Sequence, residues 1–160
     1  MIFLGIDCGY ERTGYAVFSN TENSIKLLDS GIIFAHKNLS YAKRVLKFKT
    51  ELQKLINKYK PQLAFIEQLF FSKNKTTAIK VAQFQGILIL VLSENQINYK
   101  LINPNTVKKT ITGSGKADKK AIAKMISLEL SLKTKGRIDD EIDAIAIAYT
   151  GYLLTKTDCS

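Results

Sequence analysis

Three carboxylates in this sequence stand where a carboxylate is expensive. Asp7 closes the short apolar run that begins at Phe3, Glu67 closes the run from Leu63 to Ile66, and Asp143 interrupts an apolar stretch from Ile142 to Ala148. Taking an unpaired carboxylate out of water costs on the order of several kcal/mol, so each of these needs a partner. Asp140 lies three residues before Asp143, and in a helix such a pair projects from one face. Four carboxylates brought together repel one another unless cations intervene. An all-oxygen site of this kind suits Mg²⁺ or Mn²⁺, and two such ions flanking a phosphate support in-line displacement. One ion would lower the pKa of the attacking water; the other would stabilise the leaving 3′ oxygen.

Each acid also has an ordinary explanation. Asp7 could be a turn residue, Glu67 could pair with a lysine, and acidic residues at 139–141 stabilise a helix N-terminus wherever they occur. That last explanation accounts for Asp139 and Glu141. It does not account for Asp143 among apolar neighbours, nor for two strand-end acids and a helical pair in one chain.

For these groups to meet, the chain must fold in a particular order. Residues 2–8, 13–20 and 24–36 read as three strands joined by short connections, hence an antiparallel meander. Ser40 can cap a helix in which Val45, Phe48, Leu52, Ile56 and Tyr59 recur at helical spacing with lysines opposite; Pro61 ends it. Because that helix intervenes, residues 63–67 pair naturally in parallel with the first strand, which would set Asp7 and Glu67 side by side. Residues 76–92 form a helix whose second half is apolar all round, so Ile79 to Leu92 is the candidate for burial on two sides or for a subunit interface. A strand over 97–102 follows, then a helix opened by Asn103 and Pro104 and stopped at Gly113. Further helices read over 117–132 and 138–154. In the last, Ala144, Ala146 and Ala148 allow close approach to the sheet. The expectation is one α/β domain over residues 1–160, with a five-stranded mixed sheet flanked by helices.

Charge narrows the partners. The 24 Lys+Arg against 14 Asp+Glu leave a net +10, which favours a polyanion. Residues 108–137 hold nine basic and two acidic side chains, and residues 37–60 hold eight and one. The first block precedes the carboxylate helix and can present lysines and backbone amides to phosphates; the second reads equally well as a solvated helix face. Gly113-Ser-Gly-Lys116 imitates a nucleotide-binding loop but fails it, since Thr110 stands at the required first glycine and Ala117 follows the lysine. Cys8 and Cys159 form no spaced cluster, and the single histidine, His36, is far along the chain from the acids. No secretory signal is visible, and no apolar run reaches the length of a bilayer, so a cytoplasmic protein without membrane association is expected.

The sequence Gly5-Ile-Asp-Cys-Gly-Tyr-Glu-Arg-Thr-Gly-Tyr-Ala-Val17 resembles the first motif of the RuvC family of Holliday-junction resolvases, within the ribonuclease H-like superfamily. Ile66-Glu-Gln-Leu-Phe70, Lys73-Asn74 and Ala82-Gln-Phe-Gln-Gly86 are similar to its second region. Val107-Lys-Lys-Thr110 and the run from Gly113 to Lys120 resemble the basic third, and Asp140-Glu-Ile-Asp-Ala-Ile-Ala-Ile-Ala148 the last. Cys8 departs from the family, which usually has proline there. The resemblance implies catalytic metal ligands at Asp7, Glu67, Asp140 and Asp143, with two Mg²⁺ per subunit for which Mn²⁺ substitutes. It implies a homodimer that nicks opposed strands of four-way junction DNA and works with the RuvAB branch-migration machinery. It points to Lys108, Lys119 and Phe70 as DNA contacts, Phe70 stacking on an unpaired base; Lys116 and Arg12 are further candidates. Two alternatives share the pattern: a ribonuclease H-like enzyme acting on RNA, as in the YqgF group, and a junction-binding protein without activity.

Overall fold

The structure, a computed structural model, describes residues 1–21, 24–69 and 75–157. Strands β1 (Ile2–Asp7), β2 (Arg12–Asn20) and β3 (Ile25–Phe34) lead into helix α1 (Tyr41–Tyr59) and strand β4 (Leu63–Glu67). Helix α2 (Lys75–Glu94), strand β5 (Asn98–Ile102) and helices α3 (Pro104–Thr112), α4 (Lys119–Glu129) and α5 (Asp139–Thr157) complete the chain. The sheet runs β3-β2-β1-β4-β5. The first three strands are antiparallel, and β4 and β5 run parallel to β1, as the intervening helices require. The mixed five-stranded sheet expected from the sequence is therefore present.

Two apolar layers cover it. On one face α1 and α2 press Phe48, Leu52, Ile56, Phe84, Leu88 and Leu92 against Leu4, Ile6 and Ile66. By length and composition α2 could cross a membrane; instead it buries Phe84, Leu88, Val91 and Leu92 here and leaves Ile79 and Leu90 exposed. On the other face α5 lies almost on the backbone of β1 and β2. A Cβ at Gly5 would fall on the Ala144 carbonyl and on Ala148, and one at Gly14 would fall on the Asp140 carbonyl. The alanines expected to permit close approach are matched by glycines on the strands.

Local boundaries differ from expectation where a side chain intervenes. Helix α4 begins at Lys119, not Ala117, because the Asp118 carboxylate accepts the Ala121 N–H at 2.8 Å and so caps it. It stops at Glu129, short of Leu132, and Ser131 turns the chain at φ 50°. Ser40 holds the cap position of α1 without a side-chain hydrogen bond.

Candidate active site

Parallel pairing of β1 with β4 sets Ile6 beside Ile66, so the next residues, Asp7 and Glu67, end adjacent strands at the same edge. The first turns of α5 bring Asp140 and Asp143 to that edge, because Gly14 lets the helix start directly over β2. Asp7 feels the other three carboxylates. Burial, then Glu67, Asp143 and Asp140, push the Asp7 pKa up to about 7, with Lys119 opposing. Burial and Asp143 raise Glu67, against Lys119 and Lys108. Burial also raises Asp143, although Lys119 pulls it down.

The lysine is the local counter-charge. Lys119 Nζ donates to Asp143 Oδ2 at 2.7 Å and lies 3.8 Å from Asp139. Burial works against its charge, but Asp143, Asp139 and Asp7 hold it as an ammonium. Asp139 itself points outward, its side chain 73% exposed, and it is absent from the groups that act on Asp7. Arg12 Nε lies 3.1 Å from Asp140 Oδ2 without the alignment of a hydrogen bond, and that oxygen is buried with no donor. Lys116 is exposed in the turn after α3. Phe70, together with Lys73 and Asn74, lies outside the described residues.

Several residues support the site through contacts that the sequence alone does not show. Gln85 of α2, nearly buried, donates its side-chain amide to the Glu67 carbonyl at 2.9 Å and so ties the end of β4. Arg44, read as one more cation of a solvated face, is buried. Its guanidinium donates to the carbonyls of Ala35 and Tyr10 and lies 4.9 Å from the Tyr10 ring, fastening the turn that follows Asp7. The signal was available, since Arg44 precedes Phe48 by four residues in the row that continues to Leu52 and Ile56. Cys8 packs in the core, its thiol pushed up to about 12 chiefly by burial. Glu141 is buried and accepts from Ser30 and Arg137, which accounts for it structurally.

A family model described as "Crossover junction endodeoxyribonuclease RuvC" matches residues 3–151. The chain belongs to the RuvC family. A RuvC crossover junction endodeoxyribonuclease of Brachyspira hyodysenteriae is 47% identical over 150 residues, covering 92% of this chain and 91% of the relative. One from Prochlorococcus marinus is 40% identical over 152 residues, covering 95% and 96%. Among solved structures, RuvC of T. thermophilus in complex with a Holliday junction superposes with a TM-score of 0.91 at 24% identity, covering 99% of this chain and 96% of that one. The fold is thus the RuvC fold, built on the ribonuclease H-like plan.

The donor set fits the hard divalent cations expected of it. It is all carboxylate oxygen, one of its oxygens, Asp140 Oδ2, is buried without a donor, and burial together with the other acids raises Asp7 to about 7. As the side chains stand, no three of the described acids form a closed metal cage; Lys119 holds Asp143 instead.

Proposed function

We infer that this chain resolves Holliday junctions by paired symmetric nicks in recombination and DNA repair, using divalent cations held by Asp7, Glu67, Asp140 and Asp143. The observation that carries the inference is the convergence of these four acids at one edge of the sheet, where burial first, and then the other three acids, push Asp7 up to about 7. Mg²⁺, two per subunit with Mn²⁺ as substitute, is the cation class the donor set favours. Such ions supply a site like this with neutralised phosphate charge and an acidified water.

The protein's own groups do the rest. Asp7 and Glu67 are fixed by the parallel strand register, and Asp140 and Asp143 by the helix that rests on Gly14. Lys119 and Lys108, both close enough to act on Glu67, offer positive charge to a phosphate beside the acids. Arg12 and Lys116 extend that charge outward. A homodimer follows from the chemistry, since two symmetric cuts need two sites related by a twofold axis. The exposed Ile79 and Leu90 on α2 support that helix as the contact. Action beside RuvAB in the cytoplasm, by a single nuclease domain, completes the proposal.

The test is a synthetic mobile four-way junction with Mg²⁺, run beside RNA substrates. Wild type should give paired nicks with religatable 5′-phosphate and 3′-hydroxyl ends. Asp7→Asn should bind the junction and leave it whole. Cutting by the variant, or a preference for RNA, would refute the assignment.

A further inference from the structure

On the β3 side of the carboxylate edge, the structure places a pair of exposed rings to which no role has been given. Phe34 and His36 stack with centroids 5.7 Å apart and planes 12° from parallel. Phe34 is 40% exposed, and His36 is also exposed. The position matters more than the stack. Phe34 is the register partner of Arg12, and directly paired residues of antiparallel strands project to the same face. Arg12 is the residue whose guanidinium lies 3.1 Å from Asp140. An aromatic surface thus begins one strand beyond a group that reaches Asp140, one of the four acids.

The surroundings are basic. A cleft of about 410 Å³ opens beside the rings, lined in part by Tyr15, Phe34, His36, Lys47 and Glu51. Lys54 lies 2.8 Å from Glu51 and offsets the one acid of that lining. Lys37 and Lys43 are exposed at the same end of the molecule, between β3 and the first turn of α1.

We propose that Phe34 and His36 form a stacking platform for an unpaired nucleobase of the junction strand that enters the active site, with Lys47 beside it for the backbone phosphate. The proposal rests on the function inferred above. Every base has a π-face, so such a platform holds a strand without reading its sequence. Cations around exposed rings match a polyanion and mismatch an apolar protein partner. The distance also fits. Phe34 is two strands across and two residues along from Asp7, roughly 12 Å at ordinary strand spacing and rise, which is about three to four nucleotide steps at ~3.4 Å each.

The experiment uses the full chain carrying Asp7→Asn, so that the junction is bound and not cut. 2-Aminopurine is stepped along the strand from the expected cleavage point, and its fluorescence is read on binding. A change about three to four nucleotides from that point is expected, abolished by Phe34→Ala and kept by Phe34→Trp. Phe34→Ala should weaken junction affinity roughly five- to a hundredfold, and His36→Ala less, with the slope of affinity against salt unchanged. Lys47→Ala should instead lower that slope by about one phosphate contact. Phe34 belongs to neither core cluster, so the Ala variant should still unfold cooperatively, and Phe34→Trp is the control for any fall in its unfolding temperature. Unchanged affinity and fluorescence in Phe34→Ala would overturn the platform. Failure of the Asp7→Asn protein to bind any junction would overturn the function itself.

Discussion

The two faces of the sheet hold their helices by different means. Toward α1 and α2 the contact is made by large side chains, Phe48, Phe84, Leu52 and Leu88, that fill the space between backbones. Toward α5 large side chains such as Phe3, Phe18, Phe65 and Tyr152 pack as well, but at Gly5 and Gly14 helix backbone lies directly against strand backbone with no space between. A side-chain layer can repack when one member changes. A backbone contact can only move the helix. The face that carries Asp140 and Asp143 is the one with the least slack, whereas the layer behind it can absorb change.

Gly14→Ala tests that difference most severely. The new methyl would fall on the Asp140 carbonyl and lie 3.2 Å from the Glu141 nitrogen, and no rotamer relieves a Cβ. The first turn of α5 must shift, and a displacement near 1 Å at a reacting group costs about a hundredfold in rate. Junction cleavage should therefore fall at least about a hundredfold, while junction affinity in a gel-shift assay stays within a few-fold of wild type. Wild-type cleavage would mean that side chains, not the glycine contact, set the carboxylate helix.

Leu88→Ala supplies the opposite arm. Leu88 is fully buried in the α1/α2 layer, and its truncation should cost about 2–5 kcal/mol of unfolding free energy in urea. The folded fraction should still cleave at the wild-type rate, because the cavity lies behind the sheet. A parallel loss of cleavage would show that both faces tune the site.

The burial of Asp7 among other acids has its own signature in the cation-free protein. With the folded-state pKa of Asp7 near 7 against an ordinary 3.8, the fold prefers the protonated form. The stability associated with that proton is fully present below about pH 4 and is lost as pH rises through about 7. Ionised Asp7 thus works against the fold at pH 8 by an amount on the order of a few kcal/mol. Asp7→Asn should raise the unfolding temperature at pH 8 and leave it nearly unchanged at pH 4. An equal effect at both pH values would mean that the ionisation of Asp7, disfavoured by burial and then by the other acids, is not the cause.

Most of the architecture was legible in the sequence because each strand and helix carries its own period and stop. The pairing of Asp7 with Glu67 followed from one helix-bridged connection. What was not legible depended on contacts between distant segments. Arg44 belongs to a basic block by composition, yet its side chain finds carbonyls only once the β1–β2 turn and the end of β3 have folded against it. His36 reads as remote from the acids along the chain, and it approaches their edge only through the β2–β3 register that sets Phe34 beside Arg12. Asp118 was missed for a local reason: Ala117 favours helix, and nothing apolar marks where the cap falls.

Asp118 also offers the finest test of what positions the site. Its carboxylate caps α4, and the next residue is Lys119, whose ammonium reaches Asp143 at 2.7 Å. Asn103 caps α3 in the same way, accepting the Asn105 N–H at 2.8 Å, but Lys108 lies five residues further on. Loss of either cap to alanine should cost about 1 kcal/mol of stability. Only Asp118→Ala frays the turn that carries the lysine touching the acids, so it alone should slow cleavage, by a few-fold. Asparagine caps a helix about as well as aspartate, and Asp118→Asn should therefore restore the rate. If the asparagine variant cleaves as slowly as the alanine one, the charge of Asp118 matters and the cap does not; α4 would then join the loosely tolerant layer, leaving α5 alone as the rigid one.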